Sequence, residues 1–324
     1  MTLRTYVIRR LLVIIPTFFF ISIVIFTLIH LAPGDPVMAM ISRRPPSREV
    51  MDMLRKTWGL DQPVPVQYLL WLSNLLRGDL GFSYISGRPV WSMLQEKIWS
   101  TVELMLLAEI VSVAIAVILG VIAAVKHHSL VDGASSLVAL IGYSAPNFWL
   151  ALIAMLVFAL WLKWLPTFGT ISPGVTFASP LNALFDHLKH LILPVSILVI
   201  TWTAYLFRLV RASMLEVLQQ DYIVTARAKG VRERVVIYKH ALRNALLPVV
   251  TYLGFSMGFL LSGAAVIEYI FSWPGLGDFM VQVASVRDYT VIMGLAMIIA
   301  LMVLVANLAA DITYAVVDPR IRYD

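Results

Sequence analysis

Residues 221 to 250 read DYIVTARAKGVRERVVIYKHALRNALLPVV. Six basic side chains stand here against two acids, in a chain whose composition is 60% hydrophobic. The segment carries helix signals, yet it is too polar to lie in lipid. Asp221 can cap a helix start, because its carboxylate accepts from the open amides of a first turn. Two turns follow, from Tyr222 to Lys229, and Gly230 suits the left-handed position that closes a helix. Arg227 and Lys229 would then sit near the negative helix end. A second helix is expected from Val231. In it Val231, Val235, Tyr238 and Leu242 make one apolar stripe, and Arg232, Lys239 and Arg243 make a basic one. A helix of two turns is not stable alone in water, so packing must hold it. Ala226 and Ala228 are small enough to let another surface approach closely. The residues leave two readings open: a solvated cytoplasmic loop, or a docking helix for a soluble partner.

The rest of the chain is strongly apolar. Its mean hydropathy is +0.85, which places it with all-α integral membrane proteins. Six runs have the roughly 20 apolar residues that a crossing helix needs. They are about 11–31, 101–125, 134–162, 190–210, 246–270 and 289–316, and the third is interrupted by Pro146 in GYSAPNFW. The N-terminal arginines and the run after them superficially resemble a signal peptide. The run continues to Leu31 without a small-residue cleavage pattern, so a retained first span is expected.

Six spans put both termini on one side. That side holds Arg4, Arg9, Arg10, Lys126, the cluster from Arg208 to Arg243, Arg320 and Arg322, more than half of the 25 lysines and arginines. Short loops on the other side offer only Lys163, Lys189 and Arg287. The bias predicts cytoplasmic termini and a cytoplasmic 211–245 segment. Three regions follow: 1–31, the N-terminus and first span; 32–100, an extracytoplasmic subdomain; and 101–324, a five-helix core. The middle region is punctuated by proline and glycine, with a helical apolar period in SREVMDMLRKTWGL at 47–60. The net charge of +6 reports orientation rather than a nucleic-acid partner. No cysteine is present, so disulfides and thiolate metal sites are excluded.

The basic segment resembles the EAA motif of the permease subunits of binding-protein-dependent ABC importers. TARAKG at 225–230 and HALRNALLPVV at 240–250 carry the likeness, through Ala226, Gly230, Leu247 and Pro248. Thr225 replaces the glutamate that names the motif, and Arg227 its second alanine; both departures fit the dipeptide, oligopeptide and nickel branch. APGDP at 32–36, GLDQPVPVQYLLWL at 59–72, GDLGFS at 78–83, EYIFSWPGLG at 268–277 and DPRIR at 318–322 match that branch too, nearest to dipeptide permeases. The resemblance implies a six-helix type I importer permease in a bacterial inner membrane. It implies a coupling helix at 221–230, formed by Asp221, Tyr222, Thr225, Ala226, Arg227, Ala228, Lys229 and Gly230, that enters a cleft on an ATPase. The implied partners are a homologous second permease, two cytoplasmic ABC ATPases and an extracytoplasmic binding protein. ATP and magnesium would belong to the ATPases, with no cofactor in this chain. Short peptides, dipeptides first, are the implied solute, with nickel or another small solute as the alternative.

No GxxxxGK[ST] phosphate loop occurs, so ATP hydrolysis by that means lies elsewhere. Glu109, deep in an apolar run, is a candidate for the translocation path or for a structural hydrogen bond. Pro146 and Asn147 are path candidates at the interrupted span. An ion-coupled secondary transporter using Glu109 is the rival class, though no inverted repeat supports it. An intramembrane hydrolase is disfavoured, since no HExxH occurs. Glu103 with Ser100 fits a capping box. His187 and His190 beside Asp186 are too few for a metal site and fit a helix start. Trp161, Trp164 and Trp273 are expected as interface anchors. Asp311 is placed to pair with Arg208 or Arg211.

Overall fold

A computed structural model describes residues 3–31, 53, 59, 61–260 and 264–317, without the side chains of 3–8, 258, 259, 310, 311 and 313–317. Apart from Met53 and Gly59, the helix expected within 47–60 lies outside the described residues, as does the side chain of Asp311. The described chain is helical, with one isolated bridge between Phe82 and Pro89. In order the helices are α1 (Leu3–Leu31), α2 (Val64–Leu76), α3 (Val90–Val125), α4 (Leu130–Ser144) and α5 (Asn147–Ala154, continued by a π-helical turn Met155–Trp161). Next come α6 (Pro180–Leu218), α7 (Asp221–Ala228) and α8, a rod over 233–245. The last are α9 (Leu247–Phe259), α10 (Ala265–Ile270), α11 (Leu276–Ser285) and α12 (Tyr289–Val317).

Local chemistry accounts for several starts. Ser129 and Ser179 cap α4 and α6 by accepting from Asp132 N and Asn182 N, and Pro180 fills a first-turn position that needs no donor. Before Pro146 the chain turns extended, and α5 restarts at Asn147 bent by 100° from α4.

Among the described residues four helices are long and apolar enough to cross a membrane: Arg9–Leu31, Val90–Val125, Pro180–Leu218 and Tyr289–Ala309. The bent α4–α5 pair makes a fifth crossing if it is one span. The expected fifth run, 246–270, is not one helix: α9 has 13 residues and α10 has six. Gly254, Gly258 and Gly263 fall in that run, each weakening a helix by about 1 kcal/mol relative to alanine. α3 starts at Val90, eleven residues before the expected 101. At ~1.5 Å per residue its 36 residues far exceed a ~30 Å hydrocarbon layer.

The contacts divide into two units. One comprises Met1–Thr101, Leu261–Ala265 and Gly275–Asp324; the other comprises Val102–Leu260 and Val266–Pro274. In the first, α1 lies along α12. Ser22 Oγ and Tyr68 OH, 2.9 Å apart, tie α1 to α2. Its core is built from Leu80, Val90, Leu94, Leu276, Phe279, Val291 and Leu295. Thr101 Oγ1 accepts from Leu276 N at 2.7 Å and so satisfies an open amide at the start of α11. Ser83, in the GDLGFS segment, donates to Asp288 Oδ2 at 2.5 Å.

The second unit packs α4 and α8 against α6. Two glycines set the helix spacing. A Cβ on Gly120 would lie 2.7 Å from Val210 Cγ1, and one on Gly142 would lie 3.2 Å from Ile200 Cγ2. Such close backbone approach suits helices that associate in lipid, where packing replaces the hydrophobic effect. Phe207, Val210 and Met214 from α6 fill the core with Ile223, Val236, Ala241 and Ala245.

Candidate coupling surface and solute path

α7 is eight residues long and stays folded because one side chain pins it. Ile223 is completely buried among α6 and α8 side chains, and Ala226 packs partly against the same core. The motif does not name Ile223; the signal for it in the sequence is its phase with Ala226, three residues on. The rest of the helix is exposed, including Tyr222, Val224, Thr225, Arg227 and Ala228. At 100° per residue Val224, Thr225 and Ala228 form the face opposite Ile223 and Ala226. Ala226 therefore faces inward, and Ala228 is the small residue that another surface can reach.

The ends differ from one another in chemistry. Gln220, not Asp221, is the N-cap, and no side chain caps it. Asp221 sits in the first turn instead, where its charge favours the positive helix end. Gly230 has φ +75°. Its N–H donates to Arg227 O at 2.9 Å and Val231 N–H donates to Ala226 O at 3.2 Å, a complete Schellman closure. Gly230→Ala meets no atom within 4 Å, so its cost is backbone strain alone, about 1 kcal/mol. Limited trypsin digestion of the purified protein should cleave after Lys229 roughly fivefold faster in this variant.

Arg227 donates from Nη2 to Glu233 Oε1 at 2.7 Å and from Nε to Oε2 at 3.2 Å, bridging α7 to α8. The guanidinium holds the Glu233 carboxyl below the usual carboxylate range. The pair thus supports the fold above that range and loses its contribution as pH falls through the lowered value. Both partners are about half exposed, which keeps this small. Asn244 Nδ2 donates to Tyr222 OH at 2.8 Å, a second tie.

The second helix departs from its expected face. α8 contains a π-helical stretch at Val236–Ala241 between Glu233–Val235 and Leu242–Ala245. The wider turn shifts the phase, so Val236, Ile237, Ala241 and Ala245 are buried while Val235 and Tyr238 are exposed. Arg232, Lys239 and Arg243 are exposed.

Further into the helices, Glu109 is 2% exposed and accepts from Ser256 Oγ at 2.9 Å, a tie between α3 and α9. Asn147 Oδ1 accepts from Thr201 Oγ1 at 2.7 Å, and Pro146 is exposed at the bend. Glu109 thus bonds to α9 and Asn147 to α6. Glu103 lies within α3 rather than at a helix start, and its Oε1 is 2.8 Å from His187 Nε2. His187 Nδ1 lies 2.9 Å from Thr170 O. His190 Nδ1 lies 2.8 Å from Asp186 O. Among the described residues no three histidines or acids gather as metal ligands. Trp161 and Trp164 are exposed, as interface anchors would be. Trp273 is completely buried, because Ser272 at φ 48° turns the chain back and Trp273 N–H bonds to Glu268 O at 2.7 Å. Arg211 is taken by Asp132, with Nη2 2.8 Å from Oδ2.

Residues 116–323 match the family model described as binding-protein-dependent transport system inner membrane component, and residues 3–105 match that of its N-terminal part. The chain is 42% identical to the oligopeptide transport system permease protein AppB of Bacillus subtilis (strain 168), over 99% of this chain and 100% of AppB. It is 40% identical to the dipeptide transport system permease protein DppB of Escherichia coli (strain K12), over 98% of each chain. It is 39% identical to the glutathione transport system permease protein GsiC of Escherichia coli O6:H1, over 98% of this chain and 99% of GsiC. With its several apolar helices the chain is a multi-pass protein of the bacterial inner membrane. It belongs to the binding-protein-dependent transport system inner membrane components, the ABC-transporter permease family, on the branch of the peptide permeases.

Proposed function

We propose that this chain is one of two homologous permease subunits that form the path of an ATP-driven importer of short peptides, dipeptides first. The observation that carries the reading is α7: a two-turn helix, pinned by a single buried isoleucine, whose opposite face presents Val224, Thr225 and Ala228 with one charge, Asp221, in the first turn. A helix that needs outside packing and presents such a face suits insertion into a cleft on a cytoplasmic ATPase. Asp221 to Gly230 would be the coupling helix. The flanking Arg227–Glu233 and Asn244–Tyr222 bonds would carry its movement into α8. Two ATPases would bind ATP and magnesium, and no cofactor would sit in this chain. An extracytoplasmic binding protein would deliver the solute to the side that bears the 32–100 region. Six crossings with cytoplasmic termini complete the type I arrangement, with α9 and α10 together as a broken fifth. Pro146 and Asn147, at the bend, would line the path, and Glu109 would brace it.

The test is uptake into vesicles that hold this chain with its partner subunits, with loaded binding protein outside and ATP on the ATPase side. Dipeptide uptake should require ATP and persist when an ionophore collapses the proton gradient. Uptake that follows the gradient without ATP and is lost in Glu109→Gln would overturn the reading in favour of secondary transport.

A further inference from the structure

Thr201, Tyr205 and Arg208 recur along α6 at steps of four and three, so they share one stripe of the helix. α6 is apolar enough to cross a membrane, yet Tyr205 and Arg208 on this stripe are exposed. Polar and charged groups at such positions are costly against lipid and face water or protein instead. Other elements of the same unit place matching groups along the stripe. Asn147 at the start of α5 accepts from Thr201. The Tyr252 ring of α9 lies 5.2 Å from the Tyr205 ring. The Arg208 guanidinium stands 5.8 Å from the centre of the Tyr143 ring of α4.

The direction of Arg208 is informative. A long cation near the end of a span ordinarily extends toward bulk water. Arg211, one turn further along α6, reaches Asp132 at the start of α4. Arg208 reaches Tyr143 at the other end of α4, about 16 Å along the axis from Asp132. Two neighbouring arginines therefore point opposite ways along α4. Arg211 is closed in an ion pair, whereas among the described side chains no carboxylate pairs with Arg208. Its charge is directed away from the basic end of the helices, toward the bend at Pro146.

We propose that this stripe is a wall of the solute path and that Arg208 receives the free α-carboxylate of a peptide in transit. This deepens the peptide-import reading and rests on it. The chemistry suits the ligand. A guanidinium matches a carboxylate through paired donors and sheds water more readily than an ammonium. The face of the Tyr143 ring, 5.8 Å away, attracts the guanidinium and helps hold it there. The tyrosine pair at 205 and 252 offers a broad amphipathic surface that suits varied peptide side chains.

The chain has no cysteine, so single cysteines report access directly. Tyr205→Cys and Arg208→Cys are placed in the assembled transporter, with cysteine-free partner subunits, in vesicles. The probe is sulfonatoethyl methanethiosulfonate, a small hydrophilic anion. Both positions should react, and ATP with vanadate should change the rate at least threefold. In parallel, Arg208→Gln should lower the peptide carried per ATP hydrolysed at least tenfold, with much of it restored in Arg208→Lys. Two unreactive cysteines in every nucleotide state would overturn the wall. Wild-type transport by Arg208→Gln would overturn the carboxylate assignment. A loss that instead scales with the anionic lipid content of the vesicles, with position 208 unreactive, would assign Arg208 to a lipid phosphate and overturn both. Failure of the wild type itself to carry peptide with ATP would sink the import reading and the carboxylate assignment with it, while labelling would still decide the wall.

Discussion

Replacing Val224 and Ala228 together by glutamate should lower ATP-driven uptake more than tenfold while the protein still inserts and keeps its fold. Both side chains are exposed on the face of α7 opposite Ile223, so neither substitution enters the core. Exposed changes of this kind ordinarily cost under about 0.5 kcal/mol of stability. Two further carboxylates beside Asp221 in the proposed docking face would instead have to be desolvated on contact, at a cost of several kcal/mol if left unpaired. The measurements are uptake in vesicles and co-purification of the partner ATPases. Loss of both, with unchanged melting of the purified chain, is the expected outcome; wild-type co-purification and uptake would exclude this face as the docking surface. Ala226→Glu is the informative contrast. Ala226 packs partly against the core, so this variant should unfold α7 and lower the yield of folded protein, whatever docks outside.

Much of this architecture was legible because lipid imposes simple rules. Apolar runs near 20 residues located α1, α3, α6 and α12, and the basic residues of 221–250 located the polar helices. Gly230 read correctly as a helix closure because a positive φ has few occupants besides glycine. What failed depended on tertiary partners. The capping box at Ser100 and Glu103 was sound chemistry in the wrong place, since α3 begins a further three turns back and Glu103 meets His187 from α6. The apolar stripe from Val231 assumed 3.6 residues per turn, and one π-helical stretch moved the buried face to Val236, Ile237, Ala241 and Ala245. Trp273 looked like an anchor because tryptophan favours interfaces, and a single residue at φ 48° buried it. Asp132 carried no pattern at all: its partner Arg211 is 79 residues away.

That ion pair carries the other large expected effect. Asp132→Asn or Arg211→Leu alone should reduce the folded protein recovered from membranes to about one tenth or less. The Asp132 side chain is 6% exposed and accepts from both Nε and Nη2 of Arg211, with His128 N a third donor at 3.2 Å. Removing one partner leaves a buried charge or a set of donors without its acceptor, at about 3–5 kcal/mol. Removing both should be milder, since a buried pair replaced by apolar groups of similar volume is often close to neutral. Asp132→Leu with Arg211→Met should therefore recover more folded protein than either single variant, and a double-mutant cycle on melting in detergent measures the coupling. Equal losses in the singles and the double would mean that packing, not charge, joins α4 to α6 here. The pair also bears on function. Arg211 lies in the last turns of α6, shortly before the proposed coupling helix begins at Asp221, so the bond fixes the base from which α7 projects. In the folded fraction of each single variant, uptake should fall further than ATPase co-purification does. A docked helix on a loosened base still binds its partner but transmits less of its movement to α4 and the bend at Pro146.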